Sequence, residues 1–135
     1  FPRTVISDYL MEKELLFASL TLSEDDYRLY RQIYDRVSQQ AGAAPDLVIY
    51  LQARPETLIG RVRKRGIDME RKIDDDYLTL LGESYTRFFH DYTAAPVMVV
   101  NSENLNFVDK PDDFLLLVQR IETMRGPREY FNRGD

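Results

Sequence analysis

The fold of this chain is decided by residues 46–70, which have the sequence DLVIYLQARPETLIGRVRKRGIDME. The part from Asp46 to Leu51 is a nearly continuous apolar run with β-branched and aromatic residues, which is typical of a parallel strand covered on both faces. Pro55 and Glu56 then favour a helix start, with proline at the first position and an acid in the first turn. Gly66 can end this helix in the left-handed C-cap conformation. The stretch therefore predicts a buried strand followed by a short helix.

The last turns of the predicted helix carry a cluster of positive charge, formed by Arg61, Arg63, Lys64 and Arg65. Arg61 and Arg65 share one face of the helix, because side chains at this spacing are neighbours. Two interpretations are open. Cations near a helix C-terminus suit the macrodipole, so the cluster can be ordinary surface. The planar fork of arginine also matches phosphate oxygens, so the cluster can be a phosphate clamp.

Composition limits the classes of protein and partner. With 135 residues and 44% hydrophobic residues, the chain is the size of one domain and has enough apolar side chains for a core. It has 18 basic and 23 acidic residues, a net charge of −5, which argues against nucleic acid or an anionic membrane as a partner. The chain has no cysteine, which excludes disulfides and zinc–thiolate sites and favours a cytoplasmic location. No apolar run approaches the roughly 18 residues of a membrane span.

The remaining pattern alternates strands and helices. Short β-favouring runs at residues 4–6 and 96–100 predict two further strands. Helices are predicted over residues 9–20, after the Ser23 cap, after the acids at 74–76 and from Pro111. The order predicts an α/β fold with a parallel sheet, and three strands are few enough to suggest more upstream. The tail from residue 128 is expected to be too short to fold alone, although Tyr130 and Phe131 could dock.

Polar residues follow two of these strands. Ser7 and Asp8 come after the first, and the loop 101–106 comes after the third. Open α/β sheets bind ligands at the carboxyl ends of their strands, so both segments are candidates for a site. Asp8 can hold a metal or orient a phosphate, whereas Ser7 or Asp8 can equally cap the next helix. The residues leave both possibilities open.

Helix surfaces supply three further expectations. The stripe Tyr27, Tyr30, Ile33, Tyr34 and Val37 has helical spacing, and we expect it to pack in the core, with a helix-pair dimer interface as the other possibility. The single histidine, His90, has no metal-ligand partner in spacing, so we interpret it as surface decoration near a helix end. The acidic start of the helix at 74–76 is expected to pair with the basic cluster.

Three patterns accompany the basic helix: YLQARPETL at residues 50–58, SDYLMEKELLFA at 7–18 and the polar loop at 101–107. Together with RVRKRG at 61–66 and the acid Glu70, they resemble the deoxyribonucleoside kinase family, and bacterial deoxyadenosine and deoxyguanosine kinases in particular. The resemblance covers essentially the whole chain, and the YLQARPETL motif with its arginine-rich helix is fairly specific.

The resemblance implies a three-layer P-loop kinase-type fold, with a parallel sheet flanked by helices and a lid at about residues 61–73. It implies Mg²⁺-dependent transfer of the ATP γ-phosphoryl group to the 5′-hydroxyl of a deoxynucleoside, with deoxyadenosine or deoxyguanosine favoured. The implied catalytic residues are Arg61, Arg65 and Asp8, and Asp8 is also the implied metal-linked acid. The residues implied to bind the deoxynucleoside are Glu70, Lys13 and Tyr9, and Glu70 matches the acid that bonds the sugar 3′-hydroxyl. The residues implied to bind ATP are Arg63, Asn101, Glu103 and Asn104.

The chain also departs from the family pattern. It contains no G-x-x-x-x-G-K-[ST] motif, so the cradle that holds ATP phosphates is missing. Ile67 stands where some members have a further lid arginine, and Ser7-Asp8-Tyr9 stands in place of an Asp/Glu-Arg-Ser motif. We therefore expect residues 1–135 to be the C-terminal part of a single kinase domain, without the N-terminal strand and P-loop and inactive alone. Two alternatives are a thymidylate-type nucleoside monophosphate kinase and a non-catalytic α/β interaction module.

Overall fold

The computed structural model describes residues 4–8, 10–40, 44–65 and 75–132, with Arg65 described by its backbone alone. The chain forms two compact units, residues 1–43 and 44–135. The first unit contains two helices, α1 (Lys13–Thr21) and α2 (Glu24–Ser38), which pack against each other. Helix α2 begins where the sequence predicts, because the Ser23 side chain accepts a hydrogen bond of 3.2 Å from the backbone N–H of Asp26.

The second unit is built on a three-stranded parallel sheet in the order β1–β2–β3. In chain order its elements are β1 (Val48–Gln52), α3 (Pro55–Arg65), α4 (Asp75–Asp91), β2 (Val97–Asn101), α5 (Pro111–Thr123) and β3 (Arg128–Phe131). Pro55 and Pro111 each stand at the first position of a helix, as predicted, because proline has the required φ and no N–H to leave unsatisfied there.

One face of the sheet is covered by α4. Tyr50, Val99 and Tyr130 are register partners and lie on this face, because side chains alternate between faces along a strand. The ring of Tyr50 stacks on Phe89 of α4 at a centroid distance of 4.4 Å. Burial raises the pKa of Tyr50, and burial with a contribution from Tyr77 raises the pKa of Tyr85, also on α4, to about 12. Tyr50 therefore lies in an aromatic layer between β1 and α4, whereas Tyr130 on β3 is 61% exposed.

The opposite face is covered by α5. Met98 and Val100 are fully buried there and form a core cluster with Leu105 and Phe131. Side chains of α5 pack against this cluster, namely Leu116, Leu117 and Ile121. With α4 on one face and α5 on the other, the predicted three-layer α/β arrangement with a parallel sheet is confirmed.

The described part of the chain has three strands, as many as predicted, but one of the three lies elsewhere in the sequence. Residues 4–6 form no strand, and Val5 and Ile6 are exposed. The tail, expected to be too short to fold alone but able to dock through Tyr130 and Phe131, supplies the third strand: its backbone pairs with β2 from Arg128 to Phe131, and Phe131 joins the core cluster. A short run becomes a strand only where a partner strand satisfies its backbone groups, and β2 provides that partner for the tail.

The expectation that the tyrosine stripe of α2 packs in the core is also wrong. Helix α2 has no buried residue, and Leu29, Ile33 and Val37 are all exposed. The physical reason is the small size of the first unit, in which a pair of helices leaves one face of α2 without cover.

Among the described residues, no helix is long and apolar enough to cross a membrane.

Candidate functional site

The candidate site lies at the edge of the sheet where β1 and β2 end. Gln52 ends β1 and Asn101 ends β2, and they are register partners. The next residue, Ser102, joins these two ends: its N–H donates to the carbonyl oxygen of Gln52 at 2.8 Å, and its hydroxyl donates to the same oxygen at 2.9 Å. Ser102 is buried, so these bonds fix the start of the loop after β2.

Ser102 also holds a predicted site residue. Arg61 of α3 donates from Nη1 to Ser102 Oγ at 3.1 Å and from Nη2 to the Ser102 carbonyl oxygen at 3.0 Å. The guanidinium has five N–H groups in a fixed fork. These two bonds therefore set its plane and leave other N–H groups to contact an anion.

Glu103 makes the second link between the loop and α3. One carboxylate oxygen, Oε1, accepts a hydrogen bond from the backbone N–H of Arg54, the residue just before α3. The other, Oε2, accepts a hydrogen bond of 2.6 Å from the hydroxyl of Thr57 in the first turn. Thr57 foremost, and then Arg54, lower the pKa of the Glu103 carboxyl, although its burial acts to raise it. Glu103 is therefore a carboxylate at neutral pH and a cap for α3.

The loop after Glu103 is held by its own polar side chains. The Asn101 side chain accepts a bond of 3.1 Å from the Glu103 N–H and donates to Asn132. Asn106 accepts from the backbone N–H groups of Val108 and Asp109. The N–H of Asn106 donates at 2.8 Å to Asp113, a fully buried acid in the first turn of α5. These bonds order the polar side of the loop, while Leu105 and Phe107 anchor it to the core cluster beneath the sheet.

The C-terminal end of α3 has a different environment. Arg63 pairs with Asp75 at the start of α4, which confirms the expected pairing of the basic cluster with that acidic helix start. Lys64 is exposed, and the side chain of Arg65 lies outside the described part of the chain. Leu58 of the same helix packs on α4 so closely that a Cβ atom added at Gly82 would lie 3.3 Å from its Cδ1.

Other predicted residues are placed elsewhere or not described. Asp8 is exposed in an irregular segment, and Lys13 begins α1, so both belong to the first unit. Tyr9 and Glu70 lie outside the described residues, as do Gly66, Ile67 and most of the predicted lid. In the described ranges, no group of three His, Cys, Asp or Glu side chains comes together to hold a metal ion. His90 is exposed beside Asp91, as expected for surface decoration.

A cavity of about 300 Å³ lies at the opposite edge of the sheet, where β2 and β3 begin. Its lining includes Tyr92, Pro96, Pro127 and Arg128, and none of the predicted site residues. The cavity is therefore separate from the carboxyl edge, where the polar groups converge.

Sequence reasoning missed Ser102 and Thr57. The bond between Thr57 and Glu103 joins residues 46 positions apart, and no local pattern indicates a pair at that separation. A weaker signal was present, since Thr57 occupies the position in the first helical turn where a capping-box acid usually stands. That pattern shows that α3 needs an acceptor but not which residue supplies it.

Comparisons with known proteins show which family this chain resembles. The deoxynucleoside kinase family model matches residues 1–124. The chain is 30% identical to the deoxyguanosine kinase of Bacillus subtilis over 124 residues, which cover 89% of this chain and 59% of that protein. It is also 30% identical to a deoxyadenosine kinase of Dictyostelium discoideum, covering 91% of this chain and 49% of that protein. Its identity to the deoxycytidine kinase of Homo sapiens is 35%, covering 90% and 50%.

The chain spans about half the length of the curated relatives it matches.

Proposed function

We propose that this chain supplies the C-terminal part of a deoxynucleoside kinase domain. The chain belongs to the deoxynucleoside kinase family, whose model matches residues 1–124. The intact enzyme transfers the γ-phosphoryl group of ATP to the 5′-hydroxyl of a deoxynucleoside. The chain itself carries the arginine helix and the loop after β2, and it lacks the G-x-x-x-x-G-K-[ST] motif that cradles phosphates. The activity therefore belongs to the intact protein and not to residues 1–135 alone.

One observation carries this proposal, the contact between Arg61 and Ser102. It joins the arginine helix to the loop after β2, at the carboxyl edge of a parallel sheet. Ligands of open α/β sheets bind at this edge. A surface arginine that merely suits the helix macrodipole needs no such partner, so the contact favours the phosphate-clamp interpretation over the ordinary surface one.

Arg61 and Arg65 act by neutralising charge. Phosphoryl transfer passes through a loose transition state with charge spread over the phosphoryl oxygens, so positioning and charge stabilisation supply most of the catalysis. Arginine remains protonated throughout and contacts two oxygens at once. Arg63 provides a further cation on the ATP side, where Asn101, Glu103 and Asn104 belong to the loop that approaches the adenine base.

The acceptor is a deoxynucleoside, with deoxyadenosine or deoxyguanosine favoured. Glu70 accepts a hydrogen bond from the sugar 3′-hydroxyl, and Tyr9 and Lys13 contribute to the same pocket. A nucleoside monophosphate acceptor would need additional cations for its own phosphate. The segment from 9 to 40 offers four cations, Lys13, Arg28, Arg31 and Arg36. Of these, Arg28 and Arg31 pair with acids on α2, and Arg36 lies in the last turn of the same helix.

Asp8 fits a role beside Mg²⁺. Mg²⁺ is commonly held by one or two carboxylates together with substrate phosphates and water, so a single exposed acid suffices on the protein side. When bound with ATP, the ion supplies charge neutralisation at the β- and γ-phosphates. Asp8 would orient one of its water ligands or bind it directly.

The outer edge of β1 supports a larger sheet. β1 is an edge strand of the described sheet, and Ile49 and Leu51 are exposed on the face that α5 covers elsewhere. An apolar edge of this kind is normally covered by further strands or helices. An upstream segment of the same kinase domain would provide that cover.

Helix α2 supports a homodimer. Leu29, Ile33 and Val37 form an exposed apolar stripe along one face of the helix, and a second copy of the same helix would bury it. We also propose a cytoplasmic location, which the cysteine-free composition favours.

The function is tested with the intact natural protein and ATP, by measuring ATP consumption with each of the four deoxynucleosides and with thymidine monophosphate. We expect phosphorylation of deoxyadenosine or deoxyguanosine. Activity with thymidine monophosphate alone would support the monophosphate kinase instead. No activity with any acceptor would contradict the proposal and favour the interaction module.

The clamp is tested by Arg65→Ala in the intact protein. We expect kcat/KM for the preferred deoxynucleoside to fall at least about tenfold, because a transition-state contact is lost. Arg87→Ala, which removes an exposed arginine from α4, is the matched control and should leave the rate unchanged. An unchanged rate in Arg65→Ala would remove this residue from the clamp.

The sugar contact is tested by Glu70→Gln. We expect KM for the deoxynucleoside to rise more than KM for ATP, because the amide is a weaker acceptor for the 3′-hydroxyl than the carboxylate. The opposite order would reject the assignment.

A further inference from the structure

Two consecutive residues of the loop after β2 reach across to helix α3. Ser102 bonds the guanidinium of Arg61 through both its hydroxyl and its carbonyl oxygen. Glu103 bonds the N–H of Arg54 and the hydroxyl of Thr57. The loop therefore holds α3 at its start and again along its length. Two fixed points on one helix determine both its position and its direction.

The contact at the helix start has a clear physical purpose. The first N–H groups of a helix have no partner inside the helix, and an acid is favoured beside them. In a capping box, the acid comes from the helix itself. In this chain it comes from another loop, so capping of α3 depends on where that loop lies.

A direct contact between Glu103 and the phosphates of ATP is disfavoured by its charge. Both carboxylate oxygens already accept hydrogen bonds from α3. A carboxylate placed next to a triphosphate would repel it. Arg61 has the opposite character, since it is exposed, positively charged and oriented by Ser102.

We propose that Ser102 and Glu103 are positioning residues that hold α3 and Arg61 against the loop after β2. The arginines of α3 and this loop then bind ATP as one unit. This inference rests on the proposed kinase function and adds to it the two residues through which the loop acts on the clamp. Deoxynucleoside binding should depend on them much less than ATP binding.

The structural part is tested in the intact protein by amide hydrogen exchange of α3. Glu103→Ala should raise the exchange rates of the amides of residues 54 and 58–62 by at least about tenfold, because the helix start loses its cap. Glu103→Gln should lie between Ala and wild type, since the amide oxygen still accepts from Arg54. Glu122→Ala, which removes an exposed acid from α5, is the matched control and should leave α3 unchanged. Unchanged exchange in Glu103→Ala would overturn the inference.

The functional part is tested by steady-state kinetics on the same variants. Glu103→Ala and Ser102→Ala should each raise KM for ATP by at least about fivefold while KM for the deoxynucleoside changes less than about twofold. Glu103→Gln should restore part of the loss. Thr57→Val should raise KM for ATP less than Glu103→Ala, and the double variant should be no worse than Glu103→Ala alone, because the two side chains act through one hydrogen bond.

The outcomes separate the two proposals. A wild-type enzyme that phosphorylates deoxynucleosides, together with variants that loosen α3 but keep KM for ATP, would overturn the inference and leave the function intact. Equal effects on both substrates would also overturn it. A wild-type protein that phosphorylates no deoxynucleoside would overturn the proposed function, and the inference with it, whatever the exchange data show.

Discussion

Helix α3 begins and ends in different surroundings. At its start, Glu103 is only 15% exposed in its side chain and bonds Arg54 and Thr57 from a loop far along the chain. Near its end, Arg63 and Asp75 form an ion pair whose side chains are 64% and 47% exposed, between neighbouring helices. The contact at the start is a set of hydrogen bonds to a carboxylate, and the contact near the end is an ion pair. Both involve charge, but they differ in solvent exposure.

That difference decides how much each contact stabilises the helix. A hydrogen bond to a partly buried charged group contributes about 1.5–3 kcal/mol, whereas an exposed ion pair contributes about 0–1 kcal/mol. The start of α3 is therefore held firmly on the sheet edge, and its end can separate from α4 at little cost. The proposed phosphate clamp would benefit from this arrangement, because the start of α3 would stay in place while its last turn adjusts to a ligand.

The largest effect on stability should come from Glu103→Ala. We expect the free energy of unfolding of the intact protein to fall by about 3 kcal/mol, because two hydrogen bonds to a carboxylate are lost and the N–H of Arg54 loses its partner. Urea denaturation measures this loss. If Glu103→Ala lowered the free energy of unfolding no more than Arg63→Ala does, the start of α3 would be held no more firmly than its end.

A somewhat smaller effect is expected in the middle of α3. Gly82→Val places a branched side chain where a Cβ atom alone would lie 3.3 Å from Leu58 Cδ1, so α3 and α4 must move apart. Overpacking of this kind costs about 1–3 kcal/mol, and we expect about 2 kcal/mol by urea denaturation. Gly60→Val is the matched control, since a Cβ at Gly60 meets no atom within 4 Å and the variant reports helix propensity alone. Equal losses in the two variants would show that α3 does not depend on close contact with α4.

The start of α3 should also respond to pH. The pKa of Glu103 is lowered below its ordinary value of 4.5, so its contribution to stability is fully present above that value and is lost as the pH falls through the lowered pKa. Wild type should be more stable than Glu103→Gln at pH 7, and the difference should shrink below about pH 4. Thermal denaturation of both proteins across pH measures it. If the difference in stability between wild type and Glu103→Gln grew in acid, that result would contradict a lowered pKa for Glu103.

The smallest effect is expected at the end of α3. Arg63→Ala should change the free energy of unfolding by less than about 0.5 kcal/mol, because both partners are exposed. The small loss should vanish in about 1 M salt, where screening acts within about 3 Å. A loss above about 1.5 kcal/mol would show that the pair is shielded from solvent and that the two ends are equivalent.

Local patterns predicted the elements of this fold well. Ser23, Pro55 and Pro111 mark helix starts that the structure confirms, because capping and proline geometry act within one turn. The apolar runs of β1 and β2 were recognised from their composition. The prediction of a strand at residues 4–6 is wrong. Strand formation depends on a neighbouring strand, and the sequence of these three residues does not show whether one is present.

Non-local contacts were harder to predict. The acidic start of α4 was correctly paired with the basic cluster because the two segments are close in the sequence. The roles of Ser102 and Thr57 depend on bringing β1 and β2 side by side, which periodicity cannot specify. The sequence thus located the edge of the sheet that carries the candidate site, and the structure identified which residues hold it together.

Within the described residues, β1 forms one edge of the sheet, which bears on how this chain should behave in concentrated solution. An edge strand presents unpaired N–H and C=O groups, and β1 adds the exposed apolar side chains Ile49 and Leu51. Such an edge is a template for pairing with a second molecule, which leads to aggregation through added strands. Lysine at an exposed edge position opposes this pairing, so Ile49→Lys is the substitution that should keep the chain monodisperse during purification.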